Sequence, residues 1–273
     1  MAVLFKKIIK KTCPPFLIDM LKVYQSKKTK SGFSGNIANW DDALTQTSGW
    51  NSPEIINKIK TAALQVKDGS SVYEQDGSIF NKQNFFFPVL AGILRAVTKN
   101  QSISIVDFGG SLGSHYYQMK SFFSKEIKIS WNVVEQKEFV DCGKKEFEND
   151  ELKFYYSIKD YQGEKDVFFA SGAIQYLEDP YTFIKEIKSF KFKNIIFDRV
   201  FFIENVPERI VLQKADAEIF YDASFPAWLL NEDKFIEAFL PQYNLVTDFN
   251  SLDPDNKIEN FRIYHKGFIL TQN

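Results

Sequence analysis

Cysteine and histidine are scarce in this chain, with two of each in 273 residues. Cys13 and Cys142 stand far apart and outside any metal-ligand spacing, and two histidines are too few for a usual zinc site, so no metal is expected. A disulfide framework is excluded as the source of stability, and a chain of this length buries enough core to need none. Two free thiols suit a reducing compartment, and the cytoplasm is the expected location. No apolar run approaches the ~20 residues needed to span a bilayer, and the apolar stretch near residue 1 is too broken for a secretory signal. The formal net charge of −1 offers no electrostatic reason to expect nucleic acid. No Gly-Lys-Ser/Thr closes a glycine loop, which excludes a Walker-type phosphate site. Internal repeats and low-complexity tracts are also missing.

What is present changes character along the chain. Residues 1–31 form a basic leader in which Lys6, Lys7, Lys10 and Lys11 stand among Leu4, Phe5, Ile8 and Ile9. That weakly amphipathic pattern suits peripheral contact with anionic lipid. Residues 32–99 read as a helical cap. Ser52 and Pro53 make an N-cap and first helical position, Gly69 a stop, and Ile55, Ile56, Ile59, Ala62, Ala63 and Val66 recur at helical spacing between them. From residue 100 to 273 short β-branched strands alternate with helices. Strands are expected at 103–106, 129–134, 152–156, 167–170 and 194–197, and an antiparallel pair at 243–249 and 261–270. This predicts an α/β, Rossmann-like fold: a mostly parallel sheet with right-handed crossovers and a C-terminal antiparallel hairpin.

The chemistry concentrates after the first of those strands. Asp107-Phe108-Gly109-Gly110-Ser111-Leu112-Gly113 lies between a buried strand and a helix, the context that makes a glycine loop credible. Its glycines permit a tight turn and let a ligand approach the backbone closely. Glu135 ends the next strand, 22 residues after Gly113, where an acid accepts the hydroxyls of a ribose. A dinucleotide fingerprint wants glycine where Phe108 stands. An acid at Asp107, directly before the loop, suits a ligand carrying an amino group, and S-adenosylmethionine has one.

These residues resemble motif I of the class I S-adenosylmethionine-dependent methyltransferases, with Ser111 where many members have glycine. Val133-Val134-Glu135-Gln136 resembles the acidic second motif. Residues 166–180, including Ser171 and Gly172, are similar to the fourth strand and its loop, with Gln175 where many members have histidine. Trp40 to Ala43, Ser48-Gly49-Trp50, Glu74-Gln75-Asp76, Asp198-Arg199-Val200 and Tyr221 to Trp228 resemble a little-characterised group of methyltransferases encoded beside bacterial surface-polysaccharide genes. The likeness spans roughly residues 32–270. It implies a methyltransferase-type Rossmann fold, S-adenosylmethionine as cofactor and a small-molecule or glycan-linked acceptor. It implies cofactor contacts at Asp107, Gly109, Gly110, Gly113, Glu135, Gln136, Ser171 and Gly172.

On the acceptor side, Asp198 and Arg199 end the fifth strand at the edge where such sheets bind ligands. Arginine is rare here, at positions 95, 199, 209 and 262 only, and Arg199 suits an acceptor carboxylate or phosphate. Tyr221, Ser224 and Trp228, in what reads as the loop after that strand, are further acceptor candidates. His115, two residues past the loop, is the candidate general base, with Asp198 and Arg199 as its companions. Asp41, Asp42, Glu74 and Asp76 read mainly as surface acids, with closure over the cofactor from the helical cap as their alternative role. Two other functions remain open on this fold: a nicotinamide-dependent oxidoreductase or epimerase, and a cofactor-binding module without activity.

Overall fold

A computed structural model describes residues 31–50, 52–82, 85–217 and 219–273. The basic leader, with its expected lipid contact, lies outside the described residues. The first part of the described chain comprises β1 (Gly32–Ile37), α1 (Trp40–Thr45), α2 (Pro53–Lys67), β2 (Tyr73–Gln75), β3 (Ser78–Phe80) and α3 (Phe87–Arg95). There follow β4 (Ser102–Phe108), α4 (Ser114–Met119), β5 (Lys128–Val134), α5 (Lys137–Glu146), β6 (Leu152–Tyr155), β7 (Val167–Ser171), α6 (Pro180–Ser189) and β8 (Asn194–Ile203). The last part holds β9 (Arg209–Lys214), β10 (Ser224–Leu229), α7 (Glu232–Glu237), β11 (Tyr243–Asn250), β12 (Asn256–Ile258) and β13 (Phe261–Gln272).

The main sheet runs β11-β13-β8-β7-β4-β5-β6, with β12 paired to β13. Strands β6, β5, β4, β7 and β8 are parallel, whereas β13 is antiparallel to both β8 and β11. This is the Rossmann-like sheet with a C-terminal antiparallel pair that the sequence predicts. Consecutive residues of each parallel strand enter opposite cores. Ile105, Val133 and Phe169 join α2, α3, α4 and α5 on one face, while Val106, Val134 and Phe168 join α6 and α7 on the other. Burial on both faces is why these strands read as unbroken apolar runs. Chain order reverses where β4 lies between β5 and β7, and the carboxyl ends there open a crevice suited to a ligand.

Two expectations need correction. The region 32–99 is helical in three stretches, but it also contains β1 and the β2–β3 hairpin. The segment after the fifth strand is not a loop. It forms β9 and β10, which join β1 in a separate antiparallel sheet of order β1-β9-β10. Gly32 pairs with Lys214, so the partner that makes β9 a central strand comes from the far end of the sequence. This second sheet packs Val211, Ala227 and Leu229 against Phe201, Ile203 and Ile263 at the edge of the main one.

Phe168 stands at the centre of the second core, fully buried against the rings of Phe108, Phe183, Phe192 and Phe197. Replacing it with alanine is expected to lower unfolding stability by ~3–5 kcal/mol, as measured by urea denaturation.

Candidate functional site

The glycine turn is built on a buried acid. Asp107 is 0% exposed, and its Oδ2 accepts a hydrogen bond from Trp131 Nε1 at 2.9 Å and meets His115 Nδ1 at 3.3 Å. A Cβ on Gly110 would stand 2.5 Å from the Asp107 Cγ, so only glycine lets the turn cross over this carboxylate. Gly109 (φ +74°) and Gly113 (φ +89°) take left-handed backbone, and so does Ser111 (φ +54°). A Cβ on Gly109 would lie 2.7 Å from Ala173 Cβ, and one on Gly113 2.8 Å from Leu152. Asp107 and Gly113 therefore support the turn from beneath, and neither lines the cavity above it. Trp131 and His115 hold one carboxylate oxygen of Asp107 under the loop, while Oδ1 is buried with no hydrogen-bond partner among the described residues.

Above the turn lies a cavity of about 340 Å³, within the usual range of roughly 300–1,000 Å³ for small-molecule sites. At one end are Glu135, Gln136, Phe139 and Tyr156. The Glu135 carboxylate accepts from the Ser111 amide at 3.2 Å and the Gln136 amide at 2.7 Å. Desolvation pushes its pKa up to about 7, against the opposing pull of those two amides. The middle is formed by Gly109, Ser111, Ser171 and Gly172, and the far end by Trp50, Asp76, Tyr176 and Arg199.

Arg199 reaches this cavity through a distortion of β8. Its φ is +54°, and the β8–β13 register shifts opposite it, between Lys266 and Phe268. A bulge of this kind re-aims a side chain, and strain of ~1–3 kcal/mol persists only where neighbours fix it. Here Ser251 Oγ accepts from the Arg199 amide at 2.9 Å and Gln175 Nε2 donates to the Arg199 carbonyl at 3.1 Å. The guanidinium donates through Nε to Ser171 Oγ at 3.0 Å and lies 4.0 Å from Asp253. Burial works against its charge, but Asp253, Asp76 and Asp198 more than offset that and hold its pKa above the ordinary value. Asp198 is 1% exposed; its oxygens accept from Ser251 Oγ at 2.7 Å and Ser171 Oγ at 3.3 Å. It does not line the main cavity, and its hydrogen bonds tie it to the bulge.

A smaller alcove opens between the glycine turn and the β2–β3 hairpin, lined by Glu74, Ser114, His115 and Gln118. It shares Asp76, Gly109, Ser111 and Arg199 with the main cavity. Gly110 faces this alcove, and so does His115, which also packs edge-on against Phe169 at 4.9 Å. Glu74, read from sequence as a surface acid, is 2% exposed and accepts from Ser114 Oγ and from the Gly77 amide. Burial pushes its pKa up to about 7. Asp76 and Trp50 also line the site; sequence reasoning offered Asp76 only as a cap acid able to close over a cofactor and gave Trp50 no role. The signal for Asp76 was the Asp-Gly pair between two short strand-like stretches, a hairpin turn signature.

The remaining candidates divide. Tyr221 meets Trp50 edge-on at 6.0 Å, beside the main cavity. Ser224 is spent on β10 and the cap: its amide donates to Ser48 Oγ at 2.9 Å and its own Oγ accepts from the Ser48 amide. Trp228 packs near α1 and donates to the Glu178 carbonyl at 3.1 Å, away from the site. Ser224 and Trp228 thus stand on one face of strand β10 rather than in a loop, and neither lines the main cavity or the alcove. Among the described residues no group of three or more potential ligands is placed to hold a metal ion, and no helix is long and apolar enough to cross a membrane.

No protein family matches the sequence, and a search among curated proteins finds no relative. Solved structures with a similar fold do exist. An S-adenosylmethionine-dependent methyltransferase from Clostridium acetobutylicum is 11% identical, with 70% of this chain and 93% of that one covered at a TM-score of 0.45. The N-terminal domain of EvdMO1, crystallised with S-adenosylhomocysteine and D-fucose, is 9% identical over 80% and 97% at 0.46. An amino pentose methyltransferase from Micromonospora echinaspora, solved with S-adenosylmethionine, is 9% identical over 68% and 89% at 0.41.

Two predictions follow from the geometry. The protonated Glu74 is favoured in the fold, so the folded protein holds a proton that the unfolded chain releases above its ordinary pKa of 4.5. That stability is complete below pH 4.5 and is lost as pH rises through about 7. Thermal melting temperature should therefore fall across this window, and Glu74→Gln should flatten the slope. The second concerns Gly267, opposite the bulge, where a Cβ would lie 2.1 Å from Phe249 Cζ and 2.7 Å from the Phe197 carbonyl. Gly267→Ala is expected to lower stability by ~1–3 kcal/mol on denaturant titration, the usual cost of overpacking.

Proposed function

We propose that this chain binds S-adenosylmethionine in the main cavity and transfers its methyl group to an oxygen or nitrogen of a small-molecule or glycan-linked acceptor. The carrying observation is that one cavity at the sheet's switch point joins a glycine turn pressed onto a buried acid to a carboxylate, Glu135, at the end of the adjacent strand. The residues fit the cofactor. A ribose would take Glu135 in exchange for its two backbone amides, and an adenine would lie among Gln136, Phe139 and Tyr156. The backbone of Gly109 and Gly110 leaves room for the chain beyond the ribose, and Ser114 and His115 in the alcove would receive its amino-acid tail. Ser171 and Gly172 form the floor beneath the reacting end. When bound, the cofactor supplies an electrophilic methyl group on a sulfonium.

This reading gives His115 a binding role at the tail rather than that of general base. A place in surface-polysaccharide synthesis rests on the sequence resemblance alone, and a cytoplasmic location on the cysteine usage and the lack of a spanning or signal-like run in the sequence.

Calorimetry tests the assignment. The protein should bind S-adenosylmethionine and S-adenosylhomocysteine but not NAD. Glu135→Ala should weaken both by ~1–3 kcal/mol, the scale of lost hydrogen bonds to a charged group. Gly109→Val should abolish binding, since its side chain would fill the approach to the turn. His115→Gln should weaken both ligands as well. Tight NAD binding, or unaltered affinity in the Glu135 and Gly109 variants, would overturn it.

A further inference from the structure

The acids around the site differ in what holds them. Glu135 accepts from two amides, Glu74 from Ser114 and Gly77, Asp198 from Ser251 and Ser171, and Asp107 from Trp131. No hydrogen bond from a described residue reaches the carboxylate of Asp76. Yet Asp76 lines both the main cavity and the alcove, at their junction with Gly109, Ser111 and Arg199. That junction is where the glycine turn comes nearest to Arg199 in both spaces.

The hairpin holds Asp76 there. Gln75 pairs with Ser78, so Asp76 and Gly77 are the two residues of the turn, with φ of +50° and +77°. Positive φ at both positions matches the strand twist and suits an Asp-Gly pair. The turn cannot withdraw easily: a Cβ on Gly77 would lie 3.1 Å from the Ile59 backbone, and Ser78 Oγ donates to the Ile219 carbonyl. The charge of Asp76 is felt across the far end. After burial itself, it is the largest influence holding the Tyr176 and Tyr221 hydroxyls above their ordinary pKa.

We propose that Asp76 is the carboxylate of the reacting centre, facing the sulfonium end of the bound cofactor; this rests on the cofactor reading above. In that place it is also the group that takes the proton released by an attacking hydroxyl or neutral amine. The new bond forms to the methyl carbon, the electron pair of the broken carbon–sulfur bond stays on sulfur, and the proton passes from a carboxylate oxygen of Asp76 to water. Arg199, its charge faced by Asp253, Asp76 and Asp198, acts as a positioning residue and not as an anchor for an acidic acceptor.

The test is binding, with S-adenosylmethionine and S-adenosylhomocysteine as probes. They differ at this centre by the methyl group and its positive charge. Asp76→Asn keeps size and tolerates the left-handed turn. It should weaken S-adenosylmethionine about fivefold to tenfold, the scale of one charge contact in a half-buried site, and leave S-adenosylhomocysteine within about twofold. Asp41→Asn, the same charge change at an exposed position, should leave both affinities unaltered. Melting curves confirm that the variants fold, and Asp76→Glu, which restores the charge, should recover part of the preference. An equal loss for both probes, or no loss for either, overturns the assignment of Asp76 while leaving the cofactor reading intact. Failure of the unaltered protein to bind either probe overturns both.

Discussion

The carboxylate of Asp107 is the contact on which the site depends. A buried carboxylate is costly unless it is hydrogen-bonded, and this one is tied to Trp131 from β5 and to His115 from α4. It thereby joins the end of β4 to its neighbouring strand and to the helix beyond the turn. Gly110 lies directly on it, so the course of the glycine turn over the cavity is set by a side chain that never enters the cavity. Its other oxygen, Oδ1, is buried with no partner among the described residues. That makes the position sensitive to any group brought near the turn.

The opposite wall has its own fixed point, the bulge at Asp198 and Arg199. A non-glycine residue in left-handed backbone is held by Ser251 below and Gln175 beside it. The same Ser251 donates to Asp198, so one hydroxyl couples the bulge to the acid that stabilises it. The guanidinium then lies against Gly172, where a Cβ would stand 3.2 Å from its Nη2. Two small-residue turns, one on β4 and one after β7, thus face a strand distortion and a hairpin tip. The cavity is the space these four features leave between them.

The parallel strands were legible because each is short, apolar and β-branched or aromatic, and because β4 is followed at once by glycines. The pairing of β13 with β11 was legible for similar reasons, whereas its pairing with β8 was not. Residues 209–229 were misread because their strand character depends on β1, and Gly32 meets Lys214 only in the folded chain. Within the site, the turn at 109–113 and Glu135 were legible from the order strand, glycines, helix, strand, acid. Which way Asp107 points was not. Residues on a strand alternate faces, and an acid at its end serves the loop or the ligand according to what the next strand offers, here Trp131. Glu74 and Asp76 were read as surface acids ahead of acids closing over a cofactor, since two nearby acids look the same in sequence whether they face solvent or a cavity.

The sequence by itself determined the class of fold, the position of the ligand crevice and the turn with its spaced acid, because these follow from local periodicity, glycine conformations and the covalent distance between neighbouring strands. Tertiary structure alone decided which acids are spent on the protein and which one faces open space. It also decided that Ser224 and Trp228 belong to a second sheet and that Arg199 enters the cavity. The reason is physical: hydrogen-bond partners such as Ser251 for Asp198 and Ser114 for Glu74 come from distant parts of the chain. The charge and availability of a carboxylate depend on those partners, not on its neighbours in sequence.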